Sequence, residues 1–320
     1  MKSIDSNASS LWRMESLGIP PSGTYPVFIA GLFTYCFILT CNITVLLAIG
    51  LDHHLHKPMY VLLFNLSVND VLGATALFPQ LISSILWQNR DISPAACLFQ
   101  AILVHFYGSA AIIILSVMAY DRYVAICRPL LYHSVMTSSK LRTIIVAIWT
   151  TNTIVIGVLF LLLARFRFCR NFINDPCCSN PSLAKMICED TSANNYYGLA
   201  LTISFLVAST ALVVFTYIHI LITCLFNKQA DTKSKAIRTC ATHLVVFITY
   251  QINVCFFILS HRLDQVSPYL RRSAGVSILV FPPIMDPLVY GLNTKEIRNK
   301  VIYMFRKHCV SSQKMLRSGL

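Results

Sequence analysis

Seven long apolar runs dominate the chain. Each holds roughly 20 residues or more, which is enough for a helix to cross about 30 Å of hydrocarbon. Their apolar residues do not alternate with polar ones as in a membrane barrel, and a helix satisfies its own backbone in lipid. The pattern therefore predicts seven membrane-spanning helices. The predicted spans are Val27 to Leu51, Met59 to Trp87, Leu98 to Tyr120, Thr143 to Ala164, Tyr196 to Phe226, Thr239 to Ser260 and Ser273 to Leu292.

Composition supports this all-α membrane protein. Hydrophobic residues make up 56% of the 320 and charged residues 12%, with a mean hydropathy of +0.63. Soluble globular proteins do not show such values. The net charge of +13 would suggest nucleic acid in a soluble protein, but here the basic residues lie mainly between the apolar runs. We predict a lipid bilayer as partner, no nucleic acid, and three regions: an N-terminus at 1–26, the helix bundle at 27–292, and a tail at 293–320.

The orientation follows from the basic residues. An odd number of crossings places the two termini on opposite sides, and the side that holds the C-terminus carries more Lys and Arg in its loops and tail. The positive-inside rule then predicts a multi-pass plasma-membrane protein with a cytoplasmic C-terminus and an extracellular N-terminus. We find no cleavable signal peptide. Asn7-Ala8-Ser9 fits an N-glycosylation acceptor, which requires the N-terminus to lie outside.

The outer connection between the fourth and fifth spans is the longest loop and is rich in cysteine. It carries Cys169, Cys177, Cys178 and Cys188, and Cys97 starts the third span on the same side. The oxidising exterior favours disulfides among these residues. The sequence alone leaves their connectivity open.

The tail begins with a second kind of helix. Asn293-Thr294-Lys295-Glu296 resembles a helix start, and the apolar residues after it fall on one face of a helix, while basic residues fall elsewhere. This predicts a short amphipathic eighth helix in the membrane interface. Beyond it, Cys309 is either a palmitoylation site or a plain cytosolic thiol. The apolar face consists of Ile297, Val301, Met304 and Phe305.

An acid beside a base ends the third apolar run. Asp121 and Arg122 can form an ion pair that releases the arginine when something moves or protonates the aspartate. The alternative is an arginine that merely extends its side chain to the lipid headgroups. These two readings stay open on the residues alone.

An ordered set of motifs on these spans resembles the odorant receptors within the rhodopsin-like G-protein-coupled receptors. The set covers most of the chain. It includes the triad Asp121-Arg122-Tyr123 within the longer motif from Met118 to Leu130. The other matching stretches and landmarks are Leu55 to Tyr60, Lys235 to Leu244, Pro282 to Tyr290, Asn42, Asp70 and Trp149. The resemblance implies a seven-helix receptor bundle.

Two positions depart from the family pattern. Tyr250-Gln251-Ile252 stands where most odorant receptors have Phe-Tyr-Gly, so the resemblance carries over no aromatic toggle. Ala111 stands where many members have an acid in the third helix, which weakens the case for a sodium site around Asp70.

The resemblance implies an activation switch and two disulfides. Asp70 and Asp286 are carboxylates at membrane depth, and we expect them to share a polar, water-lined cluster with Asn42, near a weak point in the seventh helix at Pro287. The implied bridges are Cys97–Cys178 and Cys169–Cys188, with Cys177 as the alternative partner of Cys97. His243 either titrates near neutral pH or is a hydrogen-bonded structural residue. The switch set is Asp70, Asp121, Arg122, Tyr123, Tyr217, His243, Asp286, Pro287 and Tyr290; Tyr217 and Tyr290 are expected to steady a released Arg122.

A ligand cavity is expected between the outer halves of helices three, five, six and seven. Val104 replaces the aspartate that amine receptors place there, which argues against a biogenic amine. Mapping the family's pocket by spacing gives the set Val104, His105, Gly108, Ser109, Leu201, Phe205, Gln251, Val254, Cys255, Val276 and Leu279.

The predicted function is an odorant receptor that binds a small molecule and activates a heterotrimeric G protein of the olfactory stimulatory type, raising cAMP. We expect no catalytic residue, no cofactor and no metal. A proton-coupled transporter using Asp70 and Asp286 is the alternative, although the chain lacks an internal repeat. An intramembrane aspartyl protease would need the Gly-x-Gly-Asp pattern, which is missing around both aspartates.

Overall fold

Seven helices form the bundle, as predicted. A computed structural model describes residues 11–226, 230–263, 265–304 and 306, so Asn7 and Cys309 lie outside the described residues. Seven helices in these ranges are long and apolar enough to cross a membrane. They are α1 (Thr24–Gly50), α2 (Pro58–Trp87), α3 (Pro94–Cys127), α4 (Ser138–Ala164), α5 (Ser192–Phe226), α6 (Ala230–Arg262) and α7 (Pro268–Asn293).

The helices extend beyond the apolar runs that predicted them. α3 begins at Pro94, where the Ser93 side chain caps it by accepting from the amide of Ala96. It ends at Cys127, more than a turn past Asp121, where the apolar run stops. A helix keeps its backbone hydrogen bonds in water as well as in lipid, so a change in side-chain polarity does not end it. The apolar runs therefore give the hydrocarbon contact and underestimate the helices.

α3 lies at the centre of the bundle and contacts α2, α4, α5 and α6. Its approach to α2 depends on Gly73, because a Cβ there would lie 2.5 Å from Cδ2 of the buried Tyr107. The Tyr107 hydroxyl in turn donates to the carbonyl of Ile278 in α7, at 3.3 Å. Pro282 has no N–H to donate to that carbonyl within the helix. A side chain of α3 thus satisfies a group that a proline left unpaired.

The end of the bundle that lies on the side of the segment before α1, called the outer end from here on, carries a small sheet that the sequence analysis did not predict. Its strands are β1 (Trp12–Met14), β2 (Asp91–Ile92) and β3 (Phe172–Ile173), in the order β2-β1-β3. β1 is antiparallel to β2 and parallel to β3. Trp12 is buried against the ring of Phe168, and the Glu15 carboxylate pairs with Arg272 in α7. The segment before α1 is therefore attached to the outer loops, and a 3-10 turn, Pro21–Gly23, joins it to α1.

The long outer loop is fixed by both expected disulfides. Cys97 at the start of α3 is bonded to Cys178, and Cys169 is bonded to Cys188, with Cα separations of 5.4 and 6.0 Å. Cys177 is a buried free thiol, so the pairing left open goes to Cys178. The loop also contains a short helix, Asn180–Ala184.

The inner surface carries the remaining short elements. They are the 3-10 turns His53–Leu55 and Pro129–Leu131, the one-turn helix Tyr132–Val135, and a helix over 295–304 that we call α8. Ile297 of α8 is fully buried, while Val301 and Met304 pack against the core, as predicted for three residues of the apolar face; the fourth, Phe305, lies outside the described residues. Lys300 lies 2.9 Å from Asp52. The hydrogen bond from Lys300 is the main cause that lowers the pKa of Asp52.

Candidate functional site

A cavity of about 570 Å³ opens in the outer half of the bundle. Its walls come from α3, α4, α5 and α6, with the long outer loop above and Ile278 of α7 at one side. α4 and the loop were not expected to contribute. Seven of the eleven predicted ligand residues line the cavity: Val104, His105, Gly108, Ser109, Leu201, Phe205 and Val254.

The other four predicted ligand residues do not line the cavity. The contacts or the exposure of each side chain explain why. Gln251 donates to the hydroxyls of Ser209 and Thr210 in α5, and Cys255 is exposed. Leu279 is fully buried in the helix core, and Val276 packs against the same core. The four remaining predicted ligand residues are Gln251, Cys255, Val276 and Leu279.

The rotation of α6 explains two of these four cases, Gln251 and Cys255. Tyr250, Val254, Phe257 and His261 line the cavity, and their spacing of three or four residues marks one face of a helix. Gln251 lies about 100° around the helix from that face. The family spacing placed the site at the correct depth in α6, but it did not give the rotation of the helix.

Tyr250 is the main cavity residue that sequence reasoning missed. Its ring is fully buried, and its hydroxyl donates to the carbonyl of Gly108 in α3 at 2.5 Å. Both residues line the cavity. The sequence did contain a signal. Tyr250 keeps an aromatic residue at the first position of the three-residue motif Tyr250-Gln251-Ile252, where most odorant receptors have phenylalanine.

The polar side chains on α3 are tied to neighbouring groups. His105 Nδ1 donates to the carbonyl of Ala101 at 2.9 Å, and the Ser109 hydroxyl donates to the carbonyl of His105 at 2.8 Å. Ser109 also pairs with Asn152 of α4, whose Nδ2 donates to the carbonyl of Phe106 at 2.9 Å. These bonds hold α3 and α4 together beside the cavity.

A buried contact between a histidine and a carboxylate lies beside the cavity at the end of α6. His261 Nε2 lies 3.4 Å from Asp175 of the long loop, and both side chains are 5% exposed. The Ser182 hydroxyl donates to the other Asp175 oxygen at 2.7 Å. The outer end of α6 is thereby connected to the loop above the cavity.

Asp121 and Arg122 form an ion pair at the inner end of the bundle. Arg122 Nη2 lies 2.5 Å from Asp121 Oδ2, and Asp121 is fully buried. This geometry is that of the predicted ion pair rather than of an arginine extended to the headgroups. Tyr132, which was not predicted, donates to Asp121 Oδ1 at 2.9 Å. Partial burial and then the Asp121 charge raise the pKa of Tyr132.

His243 links α3, α5 and α6 above that pair. Its Nε2 lies 3.0 Å from the carbonyl of Leu115, which only accepts, so Nε2 carries the proton. The other ring nitrogen, Nδ1, lies 2.9 Å from the Tyr217 hydroxyl. His243 is fully buried, which favours the structural reading. Tyr217, expected to steady Arg122, bonds instead to His243 and the carbonyl of Cys240, and the buried Tyr290 ring lies 6.3 Å from that of His243.

Asp70 and Asp286 are buried neighbours, as expected for a shared cluster. Within the described residues, both Asp70 oxygens and one Asp286 oxygen have no hydrogen-bond partner. Asn42 Nδ2 donates to the carbonyl of Pro283 at 2.9 Å. Pro287 has no N–H for that carbonyl, so Asn42 replaces the missing helical bond, and α7 continues through this proline. Over the same residues, no group of three or more His, Cys, Asp or Glu side chains is placed to hold a metal ion.

Comparisons with known proteins agree on one family. A family model described as "Olfactory receptor" matches residues 32–308. Olfactory receptor 52K2 of Homo sapiens is 32% identical over 293 residues, covering 90% of this chain and 93% of that receptor. Olfactory receptor 52J3 of Homo sapiens is 32% identical over 295 residues, covering 91% and 94%. Among solved structures, squid rhodopsin matches with a TM-score of 0.67 over 90% of this chain and 87% of that one; at 16% identity this shows the fold alone.

Proposed function

Because this chain belongs to the olfactory receptor family of G-protein-coupled receptors, we propose that it binds a small odorant in the outer cavity and activates a heterotrimeric G protein. The chain is a multi-pass membrane receptor rather than an enzyme. Membership of this family favours a receptor over the transporter and over the protease. The observation that carries the proposal is a cavity whose lining residues also hold α3 and α6 together.

The cavity suits a small and largely apolar molecule. Its volume of about 570 Å³ lies in the range of typical small-molecule sites. Aliphatic and aromatic side chains such as Val104, Phe205, Val254 and Phe257 form much of its wall. Since Val104 has no charge, it offers no counter-ion to an amine. A neutral odorant that displaces water from these walls would gain binding free energy from apolar burial.

Two hydrogen bonds join α3 to α6 in register. The upper one runs from Tyr250 to Gly108 at the cavity, and the lower one joins His243 to Leu115. In both helices the two positions are seven residues apart, which is about two turns. A ligand that pushes on Tyr250 therefore acts on the same seam that His243 holds further in.

This seam ends near the Asp121–Arg122 pair. We propose that the odorant binds better to a state in which the inner ends of α3 and α6 separate, since only differential affinity shifts such an equilibrium. Arg122 then leaves Asp121, and a cytoplasmic opening forms for the G protein. The closed arrangement described here is the starting state of that change.

Orientation and coupling complete the proposal. The larger share of basic residues in the inner loops and tail supports a cytoplasmic C-terminus and an extracellular N-terminus, with Asn7 glycosylated. On this orientation the cavity faces the exterior and the Asp121–Arg122 pair faces the cytosol. We propose a stimulatory olfactory G protein and a rise in cAMP.

The test is a broad odorant panel on transfected cells, read out as cAMP and normalised to surface expression. We expect at least one odorant to raise cAMP in the native receptor and to fail with Arg122→Ala. Arg142→Ala, which removes an exposed arginine at the inner end of α4, is the matched control and should respond normally. An Arg122→Ala receptor that signals at full amplitude would contradict the mechanism.

A further inference from the structure

The segment before α1 supports the part of the long outer loop that covers the cavity. We call residues 168–188 of this loop the roof, because several of them, Ile187 included, line the cavity. Residues 12–15, which contain β1, are the β1 segment. We propose that Trp12 is a positioning residue for ligand binding, which acts through the roof from outside the cavity. The inference rests on the proposed function, because it adds a residue to the same site.

Trp12 reaches the cavity wall through two successive contacts. It is 5% exposed, and its ring lies against that of Phe168, with the ring centroids 4.7 Å apart. Phe168 forms an antiparallel bridge with Ile187, which lines the cavity. The residues that follow these two, Cys169 and Cys188, are joined by a disulfide. Only Phe168 and Ile187 therefore separate Trp12 from a bound ligand.

Trp12 also belongs to a buried apolar cluster that the β1 segment shares with the roof. Apolar burial is the main stabilising contribution to such a cluster, and a large ring contributes more than any other side chain in it. Removing the Trp12 ring leaves a void beside the roof, which the neighbouring side chains fill only in part. Other members of the cluster, each 1% exposed or less, are Met14, Ile173, Leu183 and Met186.

The backbone of β1 holds a further stretch of the roof. The amide of Arg13 donates to the carbonyl of Asn171 at 2.8 Å, and the amide of Glu15 donates to the carbonyl of Ile173 at 2.9 Å. The two disulfides hold the roof at other residues. The β1 segment thus fixes a stretch of the loop that the disulfides do not reach.

The β1 segment is itself anchored to two other parts of the bundle. The amide of Met14 donates to the carbonyl of Arg90, in the connection between α2 and α3, at 3.0 Å. The Glu15 carboxylate pairs with Arg272 of α7. Because these contacts do not involve the roof, the segment can hold the roof in position rather than follow its movements.

A loosened roof should lower the affinity for a ligand. The ligand would then have to order the roof as it binds, and this ordering reduces the binding free energy. The Asp121–Arg122 pair lies at the opposite end of the bundle. We therefore expect a higher EC50 and an unchanged maximal response.

Two sets of variants separate the ring from the backbone. Trp12→Ala removes the ring, Trp12→Phe keeps an aromatic ring, and Leu11→Ala truncates a neighbour that is 49% exposed. Arg13→Pro removes the N–H that bonds to Asn171, because proline has none. Arg13→Ala keeps this N–H and loses only the surface pair with Asp91.

The first measurement is hydrogen exchange by mass spectrometry on the purified receptor in lipid nanodiscs, which requires no ligand. The reporter amides are those of Arg170, Met186 and Ile187, which donate to carbonyls within the roof. We expect Trp12→Ala and Arg13→Pro to speed their exchange by about tenfold, with α2 and α3 unchanged. Leu11→Ala and Arg13→Ala should exchange at the native rate, and Trp12→Phe close to it.

The second measurement is the cAMP response, normalised to surface expression. The probe is the odorant of the panel that has the lowest EC50 in the native receptor. Trp12→Ala should raise this EC50 about three- to tenfold and keep the maximal response. Trp12→Phe should restore most of the native EC50, and Leu11→Ala should not change it.

Three results would overturn the inference. The roof amides could exchange at the native rate in both Trp12→Ala and Arg13→Pro, or exchange could rise equally in the roof and in α2 and α3, which indicates general destabilisation. The third is faster roof exchange with an unchanged EC50. If Trp12→Ala fails to fold, Arg13→Pro and Arg13→Ala decide both measurements. Faster roof exchange in a receptor that gives no cAMP response to any odorant would reject the proposed coupling and leave the support of the roof established.

Discussion

Removing the Tyr132 hydroxyl should raise the basal activity of the receptor. In the closed state this hydroxyl donates to Asp121 Oδ1 at 2.9 Å, on the opposite side of the carboxylate from Arg122. The bond helps to hold the buried Asp121 carboxylate in the position from which it pairs with Arg122. Tyr132→Phe removes only this bond and keeps the ring.

The magnitude follows from the geometry. Hydrogen bonds to charged groups contribute about 1.5–3 kcal/mol, and we take about 1.5 kcal/mol because Tyr132 is only half-buried. Since 1.4 kcal/mol corresponds to a factor of ten, the open population should rise about tenfold, for example from about 1% to about 10%.

The assay is ligand-free cAMP in transfected cells, normalised to surface expression. Tyr120→Phe is the matched control, since it makes the same change one position before Asp121 on a side chain that is 37% exposed. We expect Tyr132→Phe to exceed this control clearly. Equal basal cAMP in the two variants would refute the view that the Asp121–Arg122 pair holds the receptor closed.

Three further predictions concern the scaffold. Gly73→Ala should lower the unfolding midpoint, at a cost of about 1–3 kcal/mol in the free energy of unfolding, because the new Cβ would overlap the buried Tyr107 ring. In a Tyr107→Ala background the same substitution should cost less, because the ring that it would overlap is gone. Burial raises the pKa of Cys177 to about 12, so N-ethylmaleimide followed by mass spectrometry should find it unmodified at neutral pH and increasingly modified as the pH rises. Lys300→Ala should change the midpoint little, because both side chains of its pair with Asp52 keep access to solvent, at 22% exposure each, and such surface pairs contribute little; a clear fall would show that α8 depends on this contact.

The sequence by itself determined the seven helices and their order. Lipid requires a continuous apolar run for each crossing, and such a run is visible in one dimension. The adjacent opposite charges of Asp121 and Arg122 likewise suggested an ion pair as one of two readings, and the structure shows that pair.

Only the tertiary structure decided which side chains meet. Gln251 and Tyr250 are neighbours in the sequence, yet only Tyr250 faces the cavity, because each residue turns a helix by about 100° and the rotation of α6 is set by its packing. Tyr132 reaches Asp121 because the chain turns after α3, and Asn180 meets α5 because a disulfide fixes the loop. Contacts between distant parts of the chain depend on how the helices rotate and how the loops return, and hydrophobic run length carries no information about either.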